Sequence, residues 1–218
     1  MLSDLPHEAF RRIDELPDAE FYREPRFVLH IDHPAILTVT QIYRETFPAG
    51  GAILDLMSSW VSHLPPEVAY ARVAGLGLNA AELAENPRLT ERVVQDLNRE
   101  PRLPFADGAF NAAGCCVSID YLTKPVDVLR EAARVLEPGA PLVVTFSNRC
   151  FPTKAVAIWH GLTDRGRLKL VEKYFDLAGC FEPVTAVDRS PDRGGSDPLY
   201  VVIGRARHSP RTTLRSPA

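Results

Sequence analysis

Between Met57 and His63 the segment MSSWVSH sets the hydroxyls of Ser58, Ser59 and Ser62, one indole and one imidazole directly after an apolar run that ends in an acid, AILDL. Hydroxyls and an indole N–H can position a polar ligand, and the histidine His63 is of the side-chain type that exchanges a proton near neutrality. Asp120 and Tyr121, adjacent in SIDYLTKP, could orient a nucleophilic hydroxyl or amine; otherwise Tyr121 packs under the next helix and Asp120 caps its approach. Arg149 and Lys154 in SNRCFPTKA could clamp a carboxylate or phosphate, the first as a bidentate fork and the second as a point charge, or stand as exposed loop charges. His30 and His33 flank Asp32, and on a helix both imidazoles would share a face, but no third ligand is evident and no metal is assigned. Cys150 has no base adjacent in sequence, whereas Cys115 and Cys116 lie in an apolar run and read as core.

These residues need a frame. Apolar runs at 52–56, 71–78, 92–97, 111–119, 141–147 and 199–206 alternate with helical stretches. That alternation predicts a mostly parallel sheet flanked by helices, with one antiparallel strand late in the chain. In PVDVLREAARVLEPG, Val128, Leu129, Ala132, Ala133, Val135 and Leu136 form a helical stripe, Pro125 suits the first turn and Pro138–Gly139 the stop. TDRGRLKLVEKYFDLAG repeats the pattern with Leu168, Leu170, Val171, Tyr174, Phe175 and Leu177, ending at Gly179. The division expected is an N-terminal helical cap or lid over 1–50, with Phe21, Tyr22 and Phe27 on its apolar side, one domain over 51–206, and a disordered tail over 207–218. In such a sheet ligands bind beyond the carboxyl ends of the strands. That rule gathers MSSWVSH, LGLN, DLNREP, SIDYLTKP and SNRCFPTK at one edge.

With 45% hydrophobic and 24% charged residues and a net charge of -3, the 218-residue chain has no basic field for nucleic acid. No apolar run reaches the ~20 residues of a membrane span, and MLSDLPHEAFRR lacks the apolar stretch of a secretion signal. Cys115, Cys116, Cys150 and Cys180 form no CxxC pair, as expected of free thiols in a reducing cytoplasm. A small-molecule substrate is the expected partner.

The segment DLNREPRLPFADGAFNAAGCCVSIDYLTKPVDVLREAARVLEPGAPLVVTFSN resembles the class I S-adenosylmethionine-dependent methyltransferases, in particular their type-11-like branch. It matches that family's third strand, Leu-Pro-Phe linker, fourth strand and the RVLEPG helix end before the fifth strand, within a resemblance over roughly residues 50–147. The resemblance implies a Rossmann-like α/β fold, S-adenosylmethionine as cofactor and methyl transfer to a small molecule. It places cofactor contacts at Asp55, Met57, Ser58, Ser59, Trp60, Gly75, Gly77, Asn79, Asp96, Leu97 and Cys115. Asp55 would order the cofactor loop by accepting backbone N–H bonds, and Asp96 with Leu97 would receive the adenine. Asn98 beside them faces substrate or forms a turn. His63 is then the candidate base and Tyr121 its orienter, with Asp120 and Arg149 completing the catalytic set.

Two positions depart from the family. Its first loop is glycine-rich, whereas this one is Met57, Ser58, Ser59, Trp60 and Val61, and left-handed geometry costs a residue with a Cβ ~1–2 kcal/mol. The loop therefore bears strain or follows another path. Gly77 stands where the family carries an acid for the ribose hydroxyls, a loss of about 1.5–3 kcal/mol that Asn79 could partly recover. The departures leave two other readings open: a non-catalytic metabolite- or partner-binding protein, or an enzyme using this fold for a non-methylation reaction. MSSWVSH is read as a rebuilt pocket wall with Trp60 closing space and His63 facing the reaction centre. In the competing arrangement Trp60 packs in the core and the serines cap the next helix.

Overall fold

Strand β1 (Ala52–Leu56) is almost wholly apolar and buried on both faces, as a central parallel strand must be. Around it the structure, a computed structural model describing residues 5–192 and 194–207, builds a seven-stranded sheet in the order β3-β2-β1-β4-β5-β7-β6. The other strands are β2 (Arg72–Gly77), β3 (Glu91–Val94), β4 (Ala112–Cys116), β5 (Pro141–Phe146), β6 (Phe181–Asp188) and β7 (Tyr200–Ala206). β1 to β5 pair in parallel, and β7 runs antiparallel to both its neighbours, so the late reversed strand is β7. Arg205 and Ala206 close that strand, and the expected tail from 208 onward lies outside the described residues.

β6 is the strand that the apolar runs do not announce. FEPVTAVD is an edge strand whose only fully buried residue is Phe181, and its Pro183 is tolerated because an edge leaves N–H positions unpaired. The run 111–119 also ends early as a strand, because Val117 turns to φ 44 and residues Ile119–Tyr121 form a single 3₁₀ turn.

The helices are α1 (Asp18–Phe21), α2 (His33–Thr46), α3 (Ala80–Glu85), α4 (Pro125–Val135), α5 (Ala157–His160) and α6 (Asp164–Ala178). α4 buries Val126, Val128, Leu129, Ala132 and Val135, and α6 stops at Gly179 in the left-handed conformation, φ 69. On the opposite face α2 buries Ala35, Val39, Ile42 and Tyr43. Its approach depends on Gly114 of β4, where an added Cβ would lie 2.7 Å from the Tyr43 hydroxyl.

Residues 5–50 are less helical than a cap of helices would be. Besides α1 and α2 these described residues hold one 3₁₀ turn, His7–Phe10, while 22–32 is a non-helical strap. His33 opens α2 and His30 lies on the strap, so the two imidazoles do not share a helix.

A buried charge cluster ties this N-terminal region to the domain. Lys154 is 0% exposed; its Nζ donates to the carbonyls of Leu16 at 2.7 Å and Asp14 at 3.3 Å, and lies 3.2 Å from the carboxylates of Asp14 and Asp18. Asp18 also receives Arg12 at 2.7 Å and Asn98 Nδ2 at 2.8 Å. Lys154 is therefore neither an anion clamp nor an exposed loop charge. Removing one partner of a buried pair leaves the others uncompensated, so Lys154→Ala should lower stability by about 3–5 kcal/mol in urea unfolding.

Candidate functional site

At the carboxyl ends of β1 to β4 the loops surround an open cleft of about 1200 Å³ including its solvent-facing mouth. Its first wall is MSSWVSH, and Asp55 organises it. The buried Asp55 carboxyl accepts hydrogen bonds from Ser58 Oγ and Ser62 Oγ at 2.6 Å each. Asn86 Nδ2 then donates to Ser62 Oγ and to the Ser59 carbonyl, both at 2.8 Å. Asp55 thus holds the loop through side-chain hydroxyls where backbone N–H groups were expected. Burial pushes its pKa up to about 6, against the lowering effect of the two hydroxyls.

The loop takes the glycine-like path despite its side chains. Met57 at φ 55 and His63 at φ 49 are left-handed, as is Val117 at φ 44 across the cleft. Strain of this kind costs about 1–3 kcal/mol per residue and is retained where a surrounding network imposes it.

Gly77 explains its own missing acid. Ser58 N donates to the Leu76 carbonyl at 2.8 Å, which lays the loop so close over the end of β2 that a Cβ on Gly77 would meet the Ser58 carbonyl at 2.1 Å. Asn79 does not replace the acid, because its amide is fully engaged. Its Oδ1 caps α3 by accepting from Ala81 N and Glu82 N, and its Nδ2 donates to the carbonyls of Tyr22 and Arg23. The carboxylate at this edge is the buried Glu82, which accepts from Ser59 Oγ and, at 2.7 Å, from Arg26 N. Asn79 and Glu82 have the spacing of a capping box, the one signal in the sequence that could have placed this acid at the cleft.

Trp60 is not core. Its Nε1 donates to the Val28 carbonyl at 3.0 Å and its ring meets Phe27 edge-to-face at 6.3 Å, so the indole pins the strap at the cleft's lip. His63 lines the cleft with a pKa pushed down to about 4 by burial, with a smaller contribution from His30. The serines bond to Asp55 and Glu82, not to helix amides.

On the far side Asp96, Leu97, Asn98 and Tyr121 line the same cleft. Asp96 Oδ1 accepts from Asn98 N at 2.9 Å, and Asn98 Oδ1 accepts from Thr123 N at 2.7 Å. The Tyr121 hydroxyl accepts from Phe151 N at 2.9 Å, and burial raises its pKa far above the ordinary value. Four of the residues assigned from sequence to the catalytic and cofactor-binding sets lie elsewhere. Gly75 is inside the sheet against Leu89; Cys115 faces the apolar layer with Ile119 and Val128, and Cys116 lines the cleft in its place. Arg149 is exposed and paired with Asp197 at 2.8 Å. Asp120 is buried outside the cleft with Oδ2 unpartnered, and burial raises its pKa to about 8.

Residues 58–144 match the family described as Methyltransferase domain, from Ser58 in the Asp55-held loop into β5. Among solved structures the chain is similar to geranyl diphosphate C-methyltransferase from Streptomyces coelicolor A3(2), determined with Mg²⁺, geranyl diphosphate and S-adenosyl-L-homocysteine. That likeness has a TM-score of 0.60 at 14% identity and covers 93% of this chain and 99% of the other. The [4+2]-cyclase SpnF follows at TM-score 0.59, 17% identity and coverage of 79% and 81%. Phosphoethanolamine N-methyltransferase 2 from Haemonchus contortus, in complex with S-adenosyl-L-methionine, gives 0.56 at 11% identity, 79% of this chain lying on 52% of that one. No curated protein matches the sequence. Sheet order and the likeness to these structures identify a Rossmann-like class I methyltransferase fold, and within it residues 58–144 match the methyltransferase-domain family. Among the described residues no helix is long and apolar enough to cross a membrane.

Asp120 supplies a test of these electrostatics. Its folded-state pKa lies above its unfolded value, so the native state holds the proton more tightly. The group's contribution to stability is complete below the ordinary 3.8 and is lost as pH rises to about 8. Asp120→Asn has no proton to lose, so its stability relative to the native protein should increase with pH across that window and then level off. Asp55 acts with the same sign up to about 6, but in both proteins, and cancels from the difference. Urea unfolding of the pair at acid, neutral and alkaline pH measures the effect; a pH-independent difference would contradict it.

Proposed function

We propose that this protein transfers a methyl group from S-adenosylmethionine to a small molecule. One observation carries the reading: the family match opens at Ser58, next to Met57, which holds at φ 55 the left-handed turn that glycine provides in the resembled family. The positive φ at Met57 and His63 supports a cofactor-loop path kept although the residue types have changed. The S-adenosyl ligands of the Streptomyces and Haemonchus enzymes support the same cofactor here.

The residues present fit that cofactor. Asp96 and Leu97 offer the adenine side; Glu82 supplies the acid that Gly77 cannot carry; Met57, Ser58, Ser59 and Trp60 form the wall for the remainder. When bound, the cofactor supplies a methyl group already made electrophilic by its sulfonium, which leaves the protein to align the acceptor and manage its proton. His63, neutral at physiological pH because of its lowered pKa, presents a hydrogen-bond acceptor inside the cleft. Tyr121 keeps its proton, and because its oxygen already accepts from Phe151 N, it acts toward the acceptor as a donor. Asp120 and Arg149 lie outside the cleft and take no part in this arrangement. The fold by itself is compatible with other chemistry, as the cyclase shows.

Calorimetric titration with S-adenosylmethionine and S-adenosylhomocysteine tests the reading, with saturable binding of both as the expected result. Asp96→Ala, confirmed as folded by circular dichroism, should weaken S-adenosylhomocysteine by about 10- to 100-fold, the loss of one hydrogen bond to a charged acceptor. Absence of binding to the native protein would remove methyl transfer from consideration.

A further inference from the structure

The strap crosses the cleft carrying a cation in an unusual setting. Its backbone is held by Asn79 Nδ2 at the Tyr22 and Arg23 carbonyls, by Glu82 at Arg26 N, and by Trp60 at the Val28 carbonyl. This fixes Arg26 with its guanidinium 4.5 Å from the Phe21 ring centroid and 5.4 Å from those of Tyr22 and Phe151. Nη2 donates to the Phe21 carbonyl at 2.7 Å, whereas the buried Nη1 has no hydrogen-bond partner. Among the described residues that line the cleft, Arg26 is the single arginine or lysine. The other two candidate cations are spent elsewhere, Arg149 on Asp197 and Lys154 on Asp14 and Asp18.

A guanidinium is a permanent cation with a planar fork that matches a carboxylate, and a buried N–H without an acceptor is a cost that a ligand oxygen removes. Aromatic faces beside the fork hold it in orientation and supply a flat apolar surface for the body of the same ligand. The rings come from the end of α1, the strap and Phe151 beyond β5, with Tyr121 in contact with Phe151 at 5.9 Å. We infer that Arg26 binds a carboxylate on the methyl acceptor, which is then a small planar or aromatic carboxylic acid lying against Phe151 and Tyr22. The identification of this ligand as the acceptor rests on the methyl-transfer reading above; the anion site itself does not.

The test uses 4-hydroxybenzoate and its neutral isostere 4-hydroxybenzamide as probes, titrated calorimetrically into the full chain saturated with S-adenosylhomocysteine. The native protein should bind the carboxylate at least about tenfold more tightly than the amide, and Arg26→Gln should bring that ratio close to one. Arg26→Lys, which keeps the charge and loses the fork, should retain part of the preference. Unchanged melting temperatures and S-adenosylhomocysteine affinity within about twofold would show that the variants leave the strap and the cofactor side intact. Equal binding of the two probes, no binding of the carboxylate, or a preference that survives Arg26→Gln would overturn the proposal. So would a loss of S-adenosylhomocysteine binding in Arg26→Gln with 5′-methylthioadenosine binding retained, since that assigns Arg26 to the cofactor's own carboxylate. Failure of the native protein to bind S-adenosylhomocysteine would refute methyl transfer instead, and the same probe titrations on the unloaded chain would still read the anion site.

Discussion

A single buried carboxyl, Asp55 at the end of the central strand, governs the geometry of everything above the sheet. By taking two serine hydroxyls on one oxygen it pulls the following loop down onto β2, where Ser58 bonds to Leu76 and its carbonyl closes the space over Gly77. The cost is visible in the backbone, since Met57 and His63 must both turn left-handed to satisfy that grip. The same contraction raises Ser59 and Trp60 to where they meet Glu82 and the strap. Loop, strap and α3 are consequently one assembly, joined by direct polar contacts.

That assembly brings acids and a cation into the same cleft. Asp55, Glu82 and Asp96 come from β1 and the segments after β2 and β3, while Arg26, its backbone bonded to Glu82, holds its guanidinium against Phe21, Tyr22 and Phe151. The Asp18 cluster connects the N-terminal region to the loops after β3 and β4, because Asp18 joins Arg12 and Lys154 to Asn98, and Asn98 in turn holds the Tyr121 carbonyl and Thr123. Burial without full pairing explains the shifted titrations, upward for Asp55 and Asp120 and downward for His63. Each is a charge that the fold declines to solvate.

The parallel strands and α4 were legible because their signal is local: buried strands are continuous apolar runs, and an amphipathic helix repeats its stripe between a proline and a glycine. β6 was not, because an edge strand with one buried residue has no such run. The strap reads as helix in the sequence because its mix of apolar and charged residues does not name their partners, whereas its backbone hydrogen bonds go to the side chains of Asn79, Glu82 and Trp60. Arg149 and Lys154, neighbours in one loop, illustrate the limit well: one ends exposed beside Asp197 and the other fully buried.

By itself the sequence determined the fold class and the edge of the sheet at which polar loops gather, since the alternation of apolar runs with helical stretches and the direction of the chain are read locally, and residues 58–144 match the methyltransferase-domain family. Tertiary structure alone decided which polar residues share the cleft. Glu82 and Arg26, separated by 56 positions, meet there, whereas Asp120 drops beneath it although Tyr121 beside it remains. The reason is physical: side-chain direction at a strand end depends on φ angles such as that of Val117 and on hydrogen bonds formed across the fold, and neither is written in the spacing of residues along the chain.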